Sequence, residues 1–183
     1  MKSIDYKEVI KIAQKADLYK GTQIFRWSTR NAIKTENDCE HQNIVSQLTM
    51  ILCEIFEINE ITYKEAVCLA SIHDMFEYAE GGMGDIPHSV KMESLEINRL
   101  VEQHEENTIL KIPYFGKIWD NARSNPLAYD IVMLADALDV ILFIDREFNL
   151  GNNDEDFKEI YKKSQKRIKT CLNAVLKDME YEN

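Results

Sequence analysis

A chain of 183 residues, 45% hydrophobic, with six Gly and three Pro, is long enough to bury one core and too apolar to stay disordered. Its formal net charge of −10 excludes the basic footprint that duplex nucleic acid or an anionic membrane surface requires. Any positive charge that meets an anionic ligand must therefore be local, from a metal or a few Arg and Lys.

The opening "MKSIDYKEVIKIAQKADLYKG" is interrupted by charge too often to serve as a signal peptide. Within it, Val9, Ile12 and Ala13 share a face, which predicts a first helix. A second is predicted from an N-cap at Asp38 to about Phe56, with His41 in its first turn and the stripe Ile44, Val45, Leu48, Ile51 and Leu52 behind it. The third begins near Thr62, where Thr62-x-x-Glu65 reads as a capping box, and carries Ala66, Leu69, Ala70 and then His73. "GGMGDIPHS" breaks the pattern. Helices follow over Glu93 to about Leu110, Gly116 to Arg123, Leu127 to about Phe148 just after Pro126, and Asp156 to about Tyr181. No stretch alternates well enough for a strand, and no linker or repeat divides the chain. The expectation is all-α, one helical-bundle domain over residues 1–183.

No run of ~18 apolar residues is present, so no membrane span is expected. Cys39, Cys53, Cys68 and Cys171 form no CxxC pair and read as reduced core thiols of a cytoplasmic protein.

Several polar residues stand where the apolar pattern should continue. His73 and Asp74 interrupt "CLASIHDMF", Asp136 lies inside "IVMLADALDVILFI", and His41 heads an apolar stripe. Burying such groups costs several kcal/mol unless each finds a partner, and one divalent ion satisfies all four at once. Imidazole with carboxylate suits Zn, Mn, Fe, Co or Ni better than Ca. Four protein ligands on a six-coordinate ion leave positions for water and substrate, which points to catalysis. Glu77, one turn after His73, is placed to handle a proton without being consumed as a ligand; Asp85 sits in the glycine-containing loop as a turn former or a site residue.

The order His41, His73-Asp74, Asp136 resembles the signature of the HD-domain metal-dependent phosphohydrolases. The strings "FRWSTRNAIKTENDCEH", "HDMFEYAEGGMGDIPHSVK" and "ADAL" are similar to the bacterial 5'-deoxynucleotidase branch over Phe25 to about Asn153. The resemblance implies an HD-type bundle with a divalent metal (Co, Mn, Zn, Fe, Ni or Mg) on His41, His73, Asp74 and Asp136, and with Glu77 acting on the attacking water. It further implies that Arg26 and Trp27 line a deoxyribose pocket and that Asp85 contacts sugar or water. Arg30, Thr35 and Lys91 would meet phosphate oxygens. The implied activity is hydrolysis of a small-molecule deoxynucleotide, foremost a 5'-monophosphate, to deoxynucleoside and phosphate. The link "YAEGGMG" before Asp85 is longer than the family's. That departure keeps open a deoxynucleoside triphosphate triphosphohydrolase, although the chain's acidity disfavours it, and a non-catalytic metal- or nucleotide-binding module. The helices have more apolar face than one core takes up, and with the resemblance this predicts a homo-oligomer, dimer or larger.

Overall fold

The computed structural model describes residues 30–78, 86, 94–112 and 115–182. The first expected helix, the loop with Asp85, and Arg26, Trp27 and Lys91 lie outside the described residues. Within them the chain is all-α, with no strand: α1 Asp38–Ile55, α2 Glu60–Ala70, α3 Met75–Tyr78, α4 Leu95–Leu110, α5 Phe115–Arg123, α6 Pro126–Asn149 and α7 Glu155–Glu182.

The long helix α6 organises the rest. Asn125 caps it by accepting from the Ala128 N–H at 3.2 Å, and Pro126 takes the first helical position, where its missing N–H costs nothing. Ile131, Val132 and Ile144 are fully buried and Phe143 is nearly so, each contributing about 1.5–3 kcal/mol of burial. Helices α1, α2, α5 and α7 all pack against α6. Ala66, Ala70, Ala122, Ala128 and Ala135, all fully buried, lie in the core they share, where small side chains let backbones approach. A second cluster of Val140, Phe143, Ile144 and Phe157 closes the far end of α6.

Three helix starts differ from expectation, each for a capping reason. Asn37 caps α1 rather than Asp38: its side chain accepts from Glu40 N–H at 3.0 Å while Glu40 accepts from the Asn37 N–H at 3.4 Å. Both residues are good caps, and the glutamate three positions on selects Asn37. Asn59 caps α2 by accepting from Ile61 and Thr62, so Thr62-x-x-Glu65 is no capping box. Instead the buried Thr62 hydroxyl and the Glu65 carboxylate accept from the Asn125 amide at 3.0 and 2.8 Å, tying the start of α6 to α2. Ser94 caps α4, which moves its start from Glu93 to Leu95.

His73 departs furthest from the expected pattern. Helix α2 stops at Ala70, and residues 71–74 form a turn before the short α3. His73 therefore sits past a helix end, not within a helix. The four cysteines are free, as expected, but only Cys53 is fully buried, and burial pushes its thiol up to about 11.

Candidate metal centre

The turn at 71–74 answers how two adjacent side chains reach one point. On a continuous helix they would diverge by about 100°. Leaving the helix frees the backbone to aim both, and the freed carbonyl of Ala70 accepts from the His73 Nδ1–H at 2.8 Å. A carbonyl can only accept, so this bond fixes the proton on Nδ1 and leaves the Nε2 lone pair available. His41 is oriented in the same way from the other side. Its Nδ1–H donates to Asp139 Oδ2 at 2.7 Å, and both residues are buried. Carboxylate–imidazole pairing of this kind accompanies metal-bound histidine.

The two Nε2 atoms and Asp74 Oδ2 form a triangle. His41 Nε2 lies 3.2 Å from His73 Nε2 and 3.2 Å from Asp74 Oδ2, and His73 Nε2 lies 3.2 Å from the same oxygen. Donors about 2.1 Å from one ion stand about 3.0 Å apart in an octahedron and about 3.4 Å apart in a tetrahedron. The donor set and spacing fit a divalent transition metal, and His41, His73 and Asp74 form a group able to hold one. Asp136 reaches the edge of this trio from α6, its Oδ1 3.5 Å from His41 Nε2. Its Oδ2 accepts from Arg167 of α7 at 2.6 Å.

Charge accumulates at this point. Burial opposes a charged His41, yet the hydrogen bonds of Asp139 and Asp74 and the nearby carboxylates hold its pKa well above the ordinary value. Burial opposes a charged His73 too, and Asp74 carries its pKa upward. Asp74 is held well below the carboxylate range by the two imidazoles against the effect of burial. Asp136 is held down by Arg167 first and then the histidines, again against burial. The two Nε2 atoms, 3.2 Å apart, face each other with Asp74 Oδ2 beside them, and a divalent ion there would accept both lone pairs.

Of the other expected site residues, Glu77 is partly buried in α3, directly after the turn that aims His73 and Asp74. Thr35 is exposed and lines a polar cavity of about 240 Å³ with Lys34, Glu36 and Arg146; none of the four expected metal ligands lines it. Arg30 is partly buried at the head of the same loop. This loop is held by Glu147, a fully buried carboxylate that accepts from Ile33 N–H at 2.6 Å, Lys34 N–H at 2.9 Å and the Asn152 amide at 2.8 Å. Those donors hold the Glu147 pKa below its ordinary value although burial pushes it up.

Asp139, Arg167 and Glu147 escaped the sequence reading. For Asp139 the signal was present: it follows Asp136 by one turn in the same apolar run, so the two share a face. Glu147 likewise follows Phe143 by one turn, a carboxylate on a buried face. Arg167 carried no such signal, since α7 is rich in exposed charge.

A family described as 5'-deoxynucleotidase YfbR-like matches residues 15–181. The comparison with curated proteins gave no match. Among solved structures, the PH0347 protein from Pyrococcus horikoshii OT3 is 21% identical with a TM-score of 0.68, covering 92% of this chain and 99% of its own. A conserved hypothetical protein from Pyrococcus furiosus is 20% identical, also at 0.68, covering 94% and 99%. At these identities the likeness speaks for the fold alone.

Proposed function

This chain belongs to the 5'-deoxynucleotidase YfbR-like family, and from that premise we propose that it is a divalent-metal-dependent phosphohydrolase that converts a deoxynucleoside 5'-monophosphate to deoxynucleoside and phosphate. The observation that carries the metal is the triangle of two Nε2 atoms and one carboxylate oxygen at 3.2 Å, with both Nδ1–H groups already committed to acceptors. His41, His73 and Asp74 would hold the ion, and Asp136 would add the fourth ligand. A divalent ion there supplies Lewis acidity, lowering the pKa of water toward neutrality and offsetting charge on phosphate oxygens.

The chain's own groups do the rest. Asp139 and the Ala70 carbonyl keep both imidazoles in the tautomer that presents Nε2. Glu77, in α3 just past the ligands, would accept a proton from the water that attacks phosphorus and pass it to the ester oxygen, which leaves as the deoxynucleoside hydroxyl. Arg26 and Trp27 would bound the deoxyribose, and Asp85 would orient sugar or water. Arg30, Thr35 and Lys91 would donate to phosphate oxygens. Residues 1–183 would act as one domain. Exposed Ile51, Ile55 and Ile61 support a homo-oligomer, which light scattering tests. Among the described residues no helix is long and apolar enough to cross a membrane.

The test is a screen of deoxy- and ribonucleotides against Mn, Co, Mg, Zn and Ni, with released phosphate species resolved. Orthophosphate from deoxynucleoside monophosphates is the expected result. Tripolyphosphate from triphosphates would overturn the substrate assignment, and no turnover with any metal would leave a binding module.

A further inference from the structure

Asp136 has two carboxylate oxygens, and the fold uses them differently. Oδ1 lies at the edge of the trio, 3.5 Å from His41 Nε2, while Oδ2 is committed to Arg167 at 2.6 Å. The arginine comes from α7, a separate helix, and its side chain is 43% exposed, so it is not needed to fill the core. A cation beside a metal ligand weakens that ligand's hold on a cation, so its placement there calls for a return.

We infer that Arg167 is a positioning residue that restricts Asp136 to one metal-binding oxygen and so keeps a coordination position open for the reaction. His41, His73 and Asp74 offer three, and Asp136 adds one if monodentate or two if bidentate, both modes being common for carboxylates. On a six-coordinate ion, one oxygen leaves two positions, enough for the attacking water and a phosphate oxygen together. Two oxygens leave a single position, which cannot serve both. The Arg167 hydrogen bond occupies Oδ2 and disfavours the closed arrangement. This inference rests on the metal-centre reading above.

The test uses the full chain loaded with Mn(II) alone, in three forms: wild type, Arg167→Met and Arg167→Lys. Methionine keeps an apolar stem of similar reach and removes the donor and the charge; lysine restores both in part. Affinity is read by competition with a chelator, and inner-sphere water by solvent-proton relaxation. Arg167→Met should bind Mn(II) roughly tenfold more tightly, the low end of what outer partners of a ligand are worth, here with inverted sign because the partner is a cation. Its inner-sphere relaxation should fall by about half, one water in place of two. Arg167→Lys should return both toward wild type. A merely structural role predicts equal or weaker binding and unchanged relaxation, and either result in Arg167→Met overturns the inference. If wild type itself binds no Mn(II), the metal-centre reading fails and this inference with it.

Discussion

Removing the Asp139 carboxylate should weaken metal binding without unfolding the chain. Asp139 is 4% exposed and accepts from His41 Nδ1–H at 2.7 Å, a short bond between a carboxylate and an imidazole. Charge-assisted bonds of this kind contribute about 1.5–3 kcal/mol. With each tenfold in affinity worth about 1.4 kcal/mol, that amounts to about 10–100-fold, the usual effect of losing an outer partner of a ligand histidine. Asp139→Ala should reach the upper part of this range, because the buried Nδ1–H loses its acceptor and the ring its orientation. Asp139→Asn keeps an acceptor oxygen and loses the charge, so about tenfold is expected. The assay is equilibrium competition with a chelator, with circular dichroism confirming the helical fold. A folded Asp139→Ala variant that binds divalent metal as tightly as wild type would refute the orienting role.

Glu77→Ala should retain its metal while turnover on a deoxynucleotide falls by about 10²–10⁴, the usual worth of general acid–base catalysis; metal analysis beside steady-state kinetics checks this, and wild-type turnover would contradict it. The raised pKa values of His41 and His73 stabilise the metal-free chain below the ordinary imidazole value, and that contribution is lost as pH rises through the raised values. The lowered values of Asp74 and Asp136 contribute above the usual carboxylate range and are lost as pH falls through the lowered ones. Metal requires neutral imidazoles, so the rise in Tm on adding Mn(II) should be larger at about pH 8 than at about pH 6, and the reverse order would contradict the assignment. Glu147→Ala should cost about 3 kcal/mol or more in denaturant unfolding, since two backbone N–H groups and the Asn152 amide lose their acceptor at a fully buried position.

Periodicity made α6 and α7 legible to within a residue or so, because their apolar patterns are long and Pro126 marks a start. That His41, His73 and Asp74 come together, with Asp136 at their edge, was legible because buried-type polar residues are costly and therefore conspicuous. What escaped was geometry set by local competition. Asn37 and Asn59 took the caps from Asp38 and Thr62: the spacing to Glu40 favoured Asn37, but the same spacing from Thr62 to Glu65 marked no cap, because Asn59 already accepts from the Thr62 N–H. The end of α2 at Ala70 was hidden because "SIHDMF" contains no Gly or Pro; it is the His73 side chain, donating to the Ala70 carbonyl, that satisfies the helix end. Arg167 was invisible for the opposite reason: one more cation among the exposed charges of α7 gives no hint that it turns inward to Asp136.

In the proposed centre, His41, His73 and Asp74 meet at one divalent ion. Crystals grown with Mn(II) and measured for anomalous scattering test it most directly. A single strong peak is expected about 2.0–2.3 Å from His41 Nε2, His73 Nε2 and an Asp74 oxygen, with one oxygen of Asp136 in reach. A map with no peak among these atoms, at a Mn(II) concentration that supports turnover, would contradict it.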